Sequence, residues 1–417
     1  MPRTHSDAQI AAIAASDTGD CAQELSGLTL IPFAPPRATF TLDEDCTVHF
    51  RSDGLALSPA EYARLLVRLA EERGIAADEF SREGIVAELE ERMAVLLGKE
   101  MALFLPSGTL ANHLALRVLA TRGRRVLVQR ESHIYNDTGD CAQELSGLTL
   151  IPLAPQRATF THAEVEGEIA RLPEARVSTP VGAISIECPV RRLQGEVFDF
   201  AEMQRIAAFA REHRIGLHLD GARIFLASAY TGITPASYAA LFDTVYVSLY
   251  KYFNAAAGAV LAGPRELIDN LYHQRRMFGG SLRQAWPYAA VALHYLDGFG
   301  ERFQQAVAAA ETLFQALRRH PGCEVRRPAA ATNVTGLRVF GADAERLPER
   351  LLARGIAIRP ALRASPEGAE FELFTNETIL RRPANEIVEI FIEALAPQPF
   401  SALQGGEGGV RREAMGR

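Results

Sequence analysis

The residues of this 417-residue chain that could carry chemistry lie directly after apolar segments. Lys251 ends the segment VYVSLYK. Asp220 ends the segment IGLHLD, and Arg223 follows three residues later. Between ALFLP and a helical pattern lies a short turn that consists of Ser107, Gly108 and Thr109. Because ligand sites of open α/β sheets lie at the carboxyl ends of the strands, these positions are candidates for one shared site.

Lys251 and Asp220 each allow a functional and a structural interpretation. Burial of Lys251 would disfavour its charged form and free the amine to make a Schiff base. A lysine at the end of a strand can equally extend its ammonium to the surface. Asp220 could keep a heteroaromatic nitrogen protonated through a charge-assisted hydrogen bond, or it could be an ordinary turn or cap residue.

The other polar positions also have two interpretations. Arg223 could form an ion pair with Asp220, or its planar fork could bind a substrate carboxylate. The Ser-Gly-Thr turn could cap a helix or seat a phosphate on free backbone amides. His133, after VLVQRES, could be structural, or it could stack on a ring and move protons. Arg283, in FGGSLRQ, could be a surface residue or a phosphate contact.

The order of these features along the chain points to one cofactor. A phosphate cradle comes first, then a histidine, then an Asp-x-x-Arg turn after a strand, and then a lysine after a later strand. A phosphate cradle, a group that stacks on the ring, a partner for the pyridine nitrogen and a Schiff-base lysine are what pyridoxal phosphate requires. The order therefore predicts a pyridoxal-phosphate site.

Strand and helix patterns alternate through the region that carries these residues. The segments ALFLP, RVLVQ, LTLIPL, GAISIE, IGLHLD, VYVSLYK and GAVLAG predict strands. Helices are predicted for LSPAEYARLLVRLAEERG, IVAELEERMAVLLG, SGTLANHLALRVLATRG, FDFAEMQRIAAFAREH and PRELIDNLYHQRR. This alternation predicts an α/β fold with a mostly parallel central sheet. The CEVRR and TNVTGLRVF patterns predict a smaller C-terminal α+β domain.

A near-identical duplication shapes the predicted domain organisation. Residues 17–41 repeat as 137–161 with two differences, Phe33 against Leu153 and Pro36 against Gln156. Only the second copy has strand patterns beside it, so we assign no function to the first. We predict an N-terminal extension over 1–45, a large cofactor-binding domain over 46–305, a small domain over 306–400 and a disordered tail over 401–417.

Composition excludes several classes of protein. The net charge of −7 argues against a nucleic-acid partner, and no apolar run reaches the ~18 residues that a membrane span needs. The N-terminus lacks a long apolar stretch, so no secretory signal is predicted. The five cysteines have no metal-ligand spacing, so no metal site is expected. These features predict a cytoplasmic protein with a small-molecule substrate.

Several stretches of the chain resemble the threonine aldolase / β-eliminating lyase family of fold-type I pyridoxal-phosphate enzymes. They occur in family order over residues 49–300: FRSDG, GIVAELEERMAVLLGKEMALFLPSGTLAN, ESHIY, LHLDGARIF, FDTVYVSLYK and RRMFGGSLRQA. The resemblance implies a fold-type I large domain and sites formed between subunits, and therefore a homodimer or homotetramer.

The resemblance also implies a role for each candidate. Lys251 would form the Schiff base with the cofactor, Asp220 would pair with the pyridine nitrogen, and His133 would stack on the ring. The phosphate would be bound by Ser107, Gly108 and Thr109. Ser52 and Arg223 would contact the amino-acid substrate, with Arg223 also near the cofactor. Arg283 would reach the phosphate of a neighbouring subunit.

The implied reaction is cleavage of the Cα–Cβ bond of a β-hydroxy-α-amino acid to glycine and an aldehyde. His133, or a water that it positions, would accept the proton of the β-hydroxyl group. A β-eliminating lyase that produces a keto acid and ammonia is an alternative. An aminotransferase and a cofactor-binding protein without turnover are further ones.

The chain departs from the family pattern at several positions. Glu372, in FELFTNET, stands where an arginine that binds the substrate carboxylate is expected, and Arg359 or Arg363 is a candidate replacement. Tyr250 and Tyr252 are expected to crowd the lysine. The family's usual tyrosine is Phe80 here, and ECPVRRLQGE lacks the usual second histidine.

Overall fold

The protein is described here from a computed structural model that covers residues 48–171 and 178–396. The first copy of the duplication, the predicted extension over 1–45 and the predicted disordered tail over 401–417 lie outside the described residues.

Strands and helices alternate along most of the described chain. The strands are β1 (Val48–His49), β2 (Met101–Leu105), β3 (Arg125–Gln129), β4 (Thr149–Leu153), β5 (Val181–Glu187), β6 (Gly216–Asp220), β7 (Thr244–Ser248), β8 (Ala259–Gly263), β9 (Cys323–Arg326), β10 (Val334–Phe340), β11 (Ile356–Ala357), β12 (Arg363–Ser365) and β13 (Gly368–Phe374). The α-helices are α1 (Pro59–Arg73), α2 (Gly84–Leu97), α3 (Gly108–Leu119), α4 (His133–Asn136), α5 (Cys141–Ser146), α6 (His162–Arg171), α7 (Phe200–His213), α8 (Ile224–Thr231), α9 (Pro235–Ala239), α10 (Arg265–Asp269), α11 (Leu271–Met277), α12 (Trp286–Leu296), α13 (Phe299–Arg319), α14 (Leu347–Leu352) and α15 (Ala384–Leu395). Short 3₁₀ segments are Arg191–Leu193, Ala344–Arg346 and Glu377–Arg381.

A seven-stranded sheet, in the order β2-β8-β7-β6-β5-β3-β4, forms the centre of the molecule. Strand β8 is antiparallel to both of its neighbours, and the other four pairs are parallel. Strands β5, β7 and β8 are buried along their whole length, as strands covered on both faces must be. The predicted α/β class with a mostly parallel central sheet is confirmed.

Local sequence signals set the ends of the first helices. The Ser58 hydroxyl accepts a hydrogen bond from the Glu61 amide, and the Glu61 carboxylate accepts one from the Ser58 amide. This capping box starts α1 next to Pro59. Gly98 ends α2 in the left-handed conformation with φ +60°, which costs glycine little.

Two sequence predictions need correction. The predicted helix PRELIDNLYHQRR is two short helices, α10 and α11, with Asn270 between them. The strand predicted for VYVSLYK ends at Ser248, so Lys251 lies in the loop that follows β7. This position places the lysine beyond the strand end rather than inside the hydrogen-bonded ladder.

The C-terminal part contains an antiparallel sheet in the order β12-β13-β10-β9. Strand β1 pairs in parallel with β11, and the Phe374 amide donates to the Phe50 carbonyl at 3.0 Å. These bonds hold the segment after β1, which contains Ser52, against the end of β13. The predicted division at residue 305 stays a prediction, and helix α13 runs through it.

The helices of the described residues bear on one further prediction. None of them is long and apolar enough to cross a membrane.

Candidate active site

Three polar residues are neighbours across three adjacent strands of the central sheet, and two of them end their strands. Glu187 of β5 is the register partner of Asp220 of β6, and Asp220 is the register partner of Tyr246 of β7. All three residues are buried. A nearby negative charge and removal from water both disfavour the ionised form of a carboxyl group. Burial first, and the charge of Asp220 second, raise the pKa of Glu187 well above its usual range.

Asp220 is held by a buried hydrogen-bonded chain that begins on helix α3. Asn112 Nδ2 donates to Asp220 Oδ2 at 2.6 Å, and the amide of Ala222 donates to Asp220 Oδ1 at 3.2 Å. Asn112 Oδ1 lies 2.8 Å from Nε2 of His218, whose Nδ1 is 2.9 Å from Thr244 Oγ1. The carboxylate is therefore fixed in orientation before any ligand binds.

The carboxylate at one end of this chain decides which atom donates and which accepts in each hydrogen bond. A carboxylate only accepts, so the Asn112 amide must present its oxygen to His218. His218 then donates from Nε2 and accepts at Nδ1 from the Thr244 hydroxyl. Burial lowers the pKa of His218 to about 4, which agrees with a neutral ring. The chain delivers hydrogen bonds to Asp220 without adding a positive charge.

Lys251 lies beside two phenol groups and is partly buried. Its Nζ is 3.2 Å from Tyr250 Oη and 3.4 Å from Tyr246 Oη. Burial first, and the charge of Arg223 second, lower the pKa of Lys251 to about 7, against the opposing effect of Asp220. A substantial fraction of this amine is neutral at physiological pH, which nucleophilic attack requires.

Arg223 forms an ion pair with Asp53, not with Asp220. Its Nε and Nη2 both lie 2.9 Å from Asp53 Oδ2, while Asn333 Nδ2 donates to Asp53 Oδ1 at 2.9 Å. The possible Arg223–Asp220 pair is therefore wrong, because the segment after β1 brings its own acid to the guanidinium. Arg223, Asn333 and Lys251 together keep the pKa of Asp53 below its usual range although the group is buried.

A cavity of about 750 Å³ opens beside these residues. Ser52, Arg223 and Lys251 line it, together with Tyr250 and an apolar wall from α1. Ser52 Oγ itself donates to the Gly54 carbonyl at 3.2 Å. The structure thus brings both predicted substrate contacts to the lysine, whereas Asp220, His133 and the Ser-Gly-Thr turn are not among the lining residues.

The Ser-Gly-Thr turn starts helix α3. Ser107 Oγ accepts from the Leu110 amide at 3.2 Å, so its side chain is an N-cap. The first amides of any helix, here those of Gly108 and Thr109, have no intrahelical partner. A side chain at position 108 would lie 2.0 Å from the Tyr246 hydroxyl, so only glycine allows this helix start to approach β7.

His133 starts helix α4 and is fixed through its backbone. Its amide donates to Glu187 Oε2 at 2.6 Å. The side-chain amide of Gln129 in turn bonds both the backbone amide and the carbonyl of Glu187, at 2.9 and 2.8 Å. Glu187 therefore positions the backbone from which the histidine ring extends.

One predicted site residue, and one tyrosine that was expected to crowd the lysine, lie elsewhere. Arg283 is exposed, with Nη1 3.0 Å from Glu79 Oε1, and its guanidinium lies over the Phe80 ring. The contact of Arg283 with the phosphate of a neighbouring subunit therefore stays a prediction. Tyr252 does not crowd Lys251, because it is buried against Phe253 and Phe299 in the aromatic core.

Glu372 lies on β13 with 15% of its side chain exposed, and its Oε2 is 3.9 Å from Arg191 Nη2. The two arginines named as replacements are placed differently. Arg359 Nε donates to the Arg51 carbonyl at 2.6 Å, and Arg363 is exposed on edge strand β12.

Five residues of this site were not recognised as functional from the sequence, namely Asp53, Asn112, Glu187, Arg191 and His218. One signal was available for His218, since it precedes Asp220 by two residues and therefore shares its face of the strand. Asp53 and Arg191 come from segments far from β6, and their roles depend on tertiary contacts.

The chemical groups that these residues present fit pyridoxal phosphate. The site combines an amine that is partly neutral near pH 7, a fixed buried carboxylate and free amides at a helix N-terminus. Those groups match an aldehyde, a pyridine nitrogen and a phosphate.

Fold and site together define a fold-type I pyridoxal-phosphate enzyme. The chain belongs to the β-eliminating lyase family, whose sequence profile matches residues 72–339. Family and donor set agree on pyridoxal phosphate as the cofactor.

Individual relatives show the range of this scaffold. A low-specificity L-threonine aldolase of Candida albicans is 32% identical over 221 residues, which are 52% of this chain and 58% of the relative. An alanine racemase of Cochliobolus carbonum is 32% identical over 225 residues, or 54% of this chain and 57% of the relative. The chain therefore covers less than two thirds of the length of these curated relatives.

A solved structure from Listeria monocytogenes has the same fold. It is provisionally assigned as an L-allo-threonine aldolase and superposes with a TM-score of 0.70 at 26% identity. The alignment covers 84% of this chain and 96% of that chain.

Proposed function

We propose that this protein is a pyridoxal-phosphate-dependent aldolase of the cytoplasm. Its substrates are β-hydroxy-α-amino acids such as threonine, allo-threonine or phenylserine, and its products are glycine and an aldehyde. The observation that carries the proposal is the position of the Lys251 amine, at the wall of a cavity that Ser52 and Arg223 share. The threonine aldolase of Candida albicans and the Listeria monocytogenes structure support the choice of reaction.

Lys251 would hold the cofactor, and Asp220 would keep its pyridine nitrogen protonated. The bound cofactor supplies an electron sink for the electron pair that the Cα–Cβ bond releases. His133, or a water that it positions, accepts the proton of the β-hydroxyl group as that bond breaks. A proton returned to Cα completes glycine. Ser52 and Arg223 orient the amino acid at the cavity wall.

The test is aldehyde release by the purified, cofactor-loaded protein from threonine, allo-threonine and phenylserine, with glycine quantified alongside. Equimolar aldehyde and glycine are expected, and Lys251→Ala should abolish both. Lys99→Arg is the matched control, because Lys99 Nζ contacts the carbonyl of Phe242 instead of the cavity.

Other products would replace the proposal with a different reaction. Keto acid and ammonia would identify a β-eliminating lyase, and exchange between D and L enantiomers without aldehyde would identify a racemase. Turnover that survives Lys251→Ala would contradict the assignment of the lysine.

A further inference from the structure

Strand β13 carries an acid at the position where the family resemblance predicts a carboxylate-binding arginine. Glu372 would repel the carboxylate of an amino acid if it acted alone. Its side chain is only 15% exposed, and a charge so far removed from water needs a compensating partner. The identity of that partner decides how the site can accept an amino acid.

The partner is Arg191, which comes from the loop after β5. Its Nη2 lies 3.9 Å from Glu372 Oε2, and its guanidinium carbon is 5.1 Å from the centre of the Phe374 ring. A separation of 3.9 Å is an ion pair without a hydrogen bond. The guanidinium, 32% exposed, therefore has donors that Glu372 does not use.

The backbone of Arg191 is anchored at the site itself. Its amide donates to Glu187 Oε1 at 2.9 Å, and the other oxygen of the same carboxylate accepts from His133. Glu187 is in turn the register partner of Asp220. Glu187 thus positions both Arg191 and His133, the proposed proton acceptor. It does so beside Asp220, the carboxylate proposed to pair with the pyridine nitrogen.

A second guanidinium of the site, that of Arg223, is already paired with an acid. Two nitrogens of Arg223 bind one oxygen of Asp53, with both side chains largely buried. That pair also holds the segment after β1 against the start of α8. Asp53 feels the charge of both arginines, of which Arg223 is held tightly by an acid and Arg191 loosely.

We propose that Arg191 binds the carboxylate of the amino-acid substrate, in place of the arginine missing from β13. Glu372 keeps the guanidinium beside the site when no substrate is present, and the substrate carboxylate takes over the interaction. The arginine that binds the substrate carboxylate thus lies on the loop after β5 and not on β13. This inference rests on the proposed function only in that the ligand is an α-amino acid.

The test measures binding of glycine and of methylamine to the cofactor-loaded protein, followed by the absorbance of the bound cofactor. Arg191→Gln should weaken glycine binding at least about tenfold, because a hydrogen-bonded charge pair is lost. Binding of methylamine, which has no carboxylate, should stay within about twofold. Glu372→Gln should tighten glycine binding, since it removes a competing carboxylate.

Arg192→Gln is the matched control. This neighbouring arginine pairs with Asp137 on the surface, so its loss should change neither ligand. Arg191→Lys should recover part of the glycine affinity. Unchanged glycine binding in Arg191→Gln would overturn the proposal, and so would an equal loss for methylamine, which indicates a structural role.

The two proposals can fail separately. A wild-type protein that binds glycine through Arg191 but releases no aldehyde leaves this inference standing and removes the aldolase. If Arg191→Gln releases aldehyde as efficiently as the wild type and binds glycine equally well, the aldolase proposal stands and the role of Arg191 is removed.

Discussion

The chain uses arginine almost everywhere that it needs a cation. Of its 44 lysine and arginine residues, only Lys99 and Lys251 are lysines. Arginine stays protonated in proteins and cannot supply a neutral amine, so it cannot replace a Schiff-base lysine. A lysine at position 251 agrees with the proposed Schiff-base role, as does its burial beside Tyr246 and Tyr250.

The pH dependence of cofactor uptake follows from that environment. The neutral fraction of the Lys251 amine rises with pH through its pKa of about 7, well below the 10.5 of an ordinary lysine. Uptake of pyridoxal phosphate by the apo-protein should accelerate with pH up to about 8 and then level off. The rate is measured by absorbance, and borohydride reduction followed by peptide mapping locates the label.

Lys99→Arg should leave this profile and the labelled peptide unchanged. A midpoint near pH 10, or a label on Lys99, would show that the environment of Lys251 does not activate its amine.

At the scale of elements, the site is formed by the ends of parallel strands and by helix α3, which packs against them. Strand ends and caps are local patterns, so Lys251, Asp220 and the Ser-Gly-Thr turn could be found from the sequence. Asp53 reaches Arg223 only because β1 pairs with β11, and Arg191 reaches Glu372 only because of tertiary packing. Such contacts join segments that no local periodicity relates.

Helix α3 contributes one interior residue that binds two strand residues. Asn112→Ala should remove one buried hydrogen-bond partner each from Asp220 and His218, at a cost of about 1–3 kcal/mol in the free energy of unfolding. Cofactor affinity should fall as well, because the carboxylate loses its orientation. Urea unfolding and cofactor titration measure the two effects.

Thr244→Ser keeps the hydroxyl that contacts His218 and should alter neither quantity appreciably. An Asn112→Ala protein with wild-type stability and affinity would mean that the chain of hydrogen bonds does not hold Asp220.

At the scale of the whole molecule, the proposed assembly assigns Arg283 to a neighbouring subunit. Within one chain this arginine forms an exposed ion pair with Glu79, an interaction that contributes little to stability. Its exposure leaves the guanidinium accessible for a second copy. A homodimer or homotetramer, with sites shared between subunits, is the assembly that we propose.

Mixed oligomers test this arrangement. Lys251→Ala and Arg283→Gln should each be nearly inactive alone, since each removes one part of every site. After unfolding and refolding together, hybrid dimers hold one intact site, and about a quarter of the wild-type activity should return. Aldehyde release measures the recovery, and each variant refolded alone is the control. If no activity returns although hybrids form, Lys251 and Arg283 belong to the same subunit's site.

Asp53 joins segments that the ribosome makes far apart in time. It contacts Arg223, 170 residues later, and Asn333, 280 residues later. Bringing such distant residues together costs more chain entropy than forming any single βα unit, so these contacts form after the local ones. A nascent chain can therefore pair the strands of its central sheet before Asn333 has been synthesised. The buried pair of Asp53 and Arg223 therefore gains its hydrogen bond from Asn333 only after the whole central sheet has been synthesised.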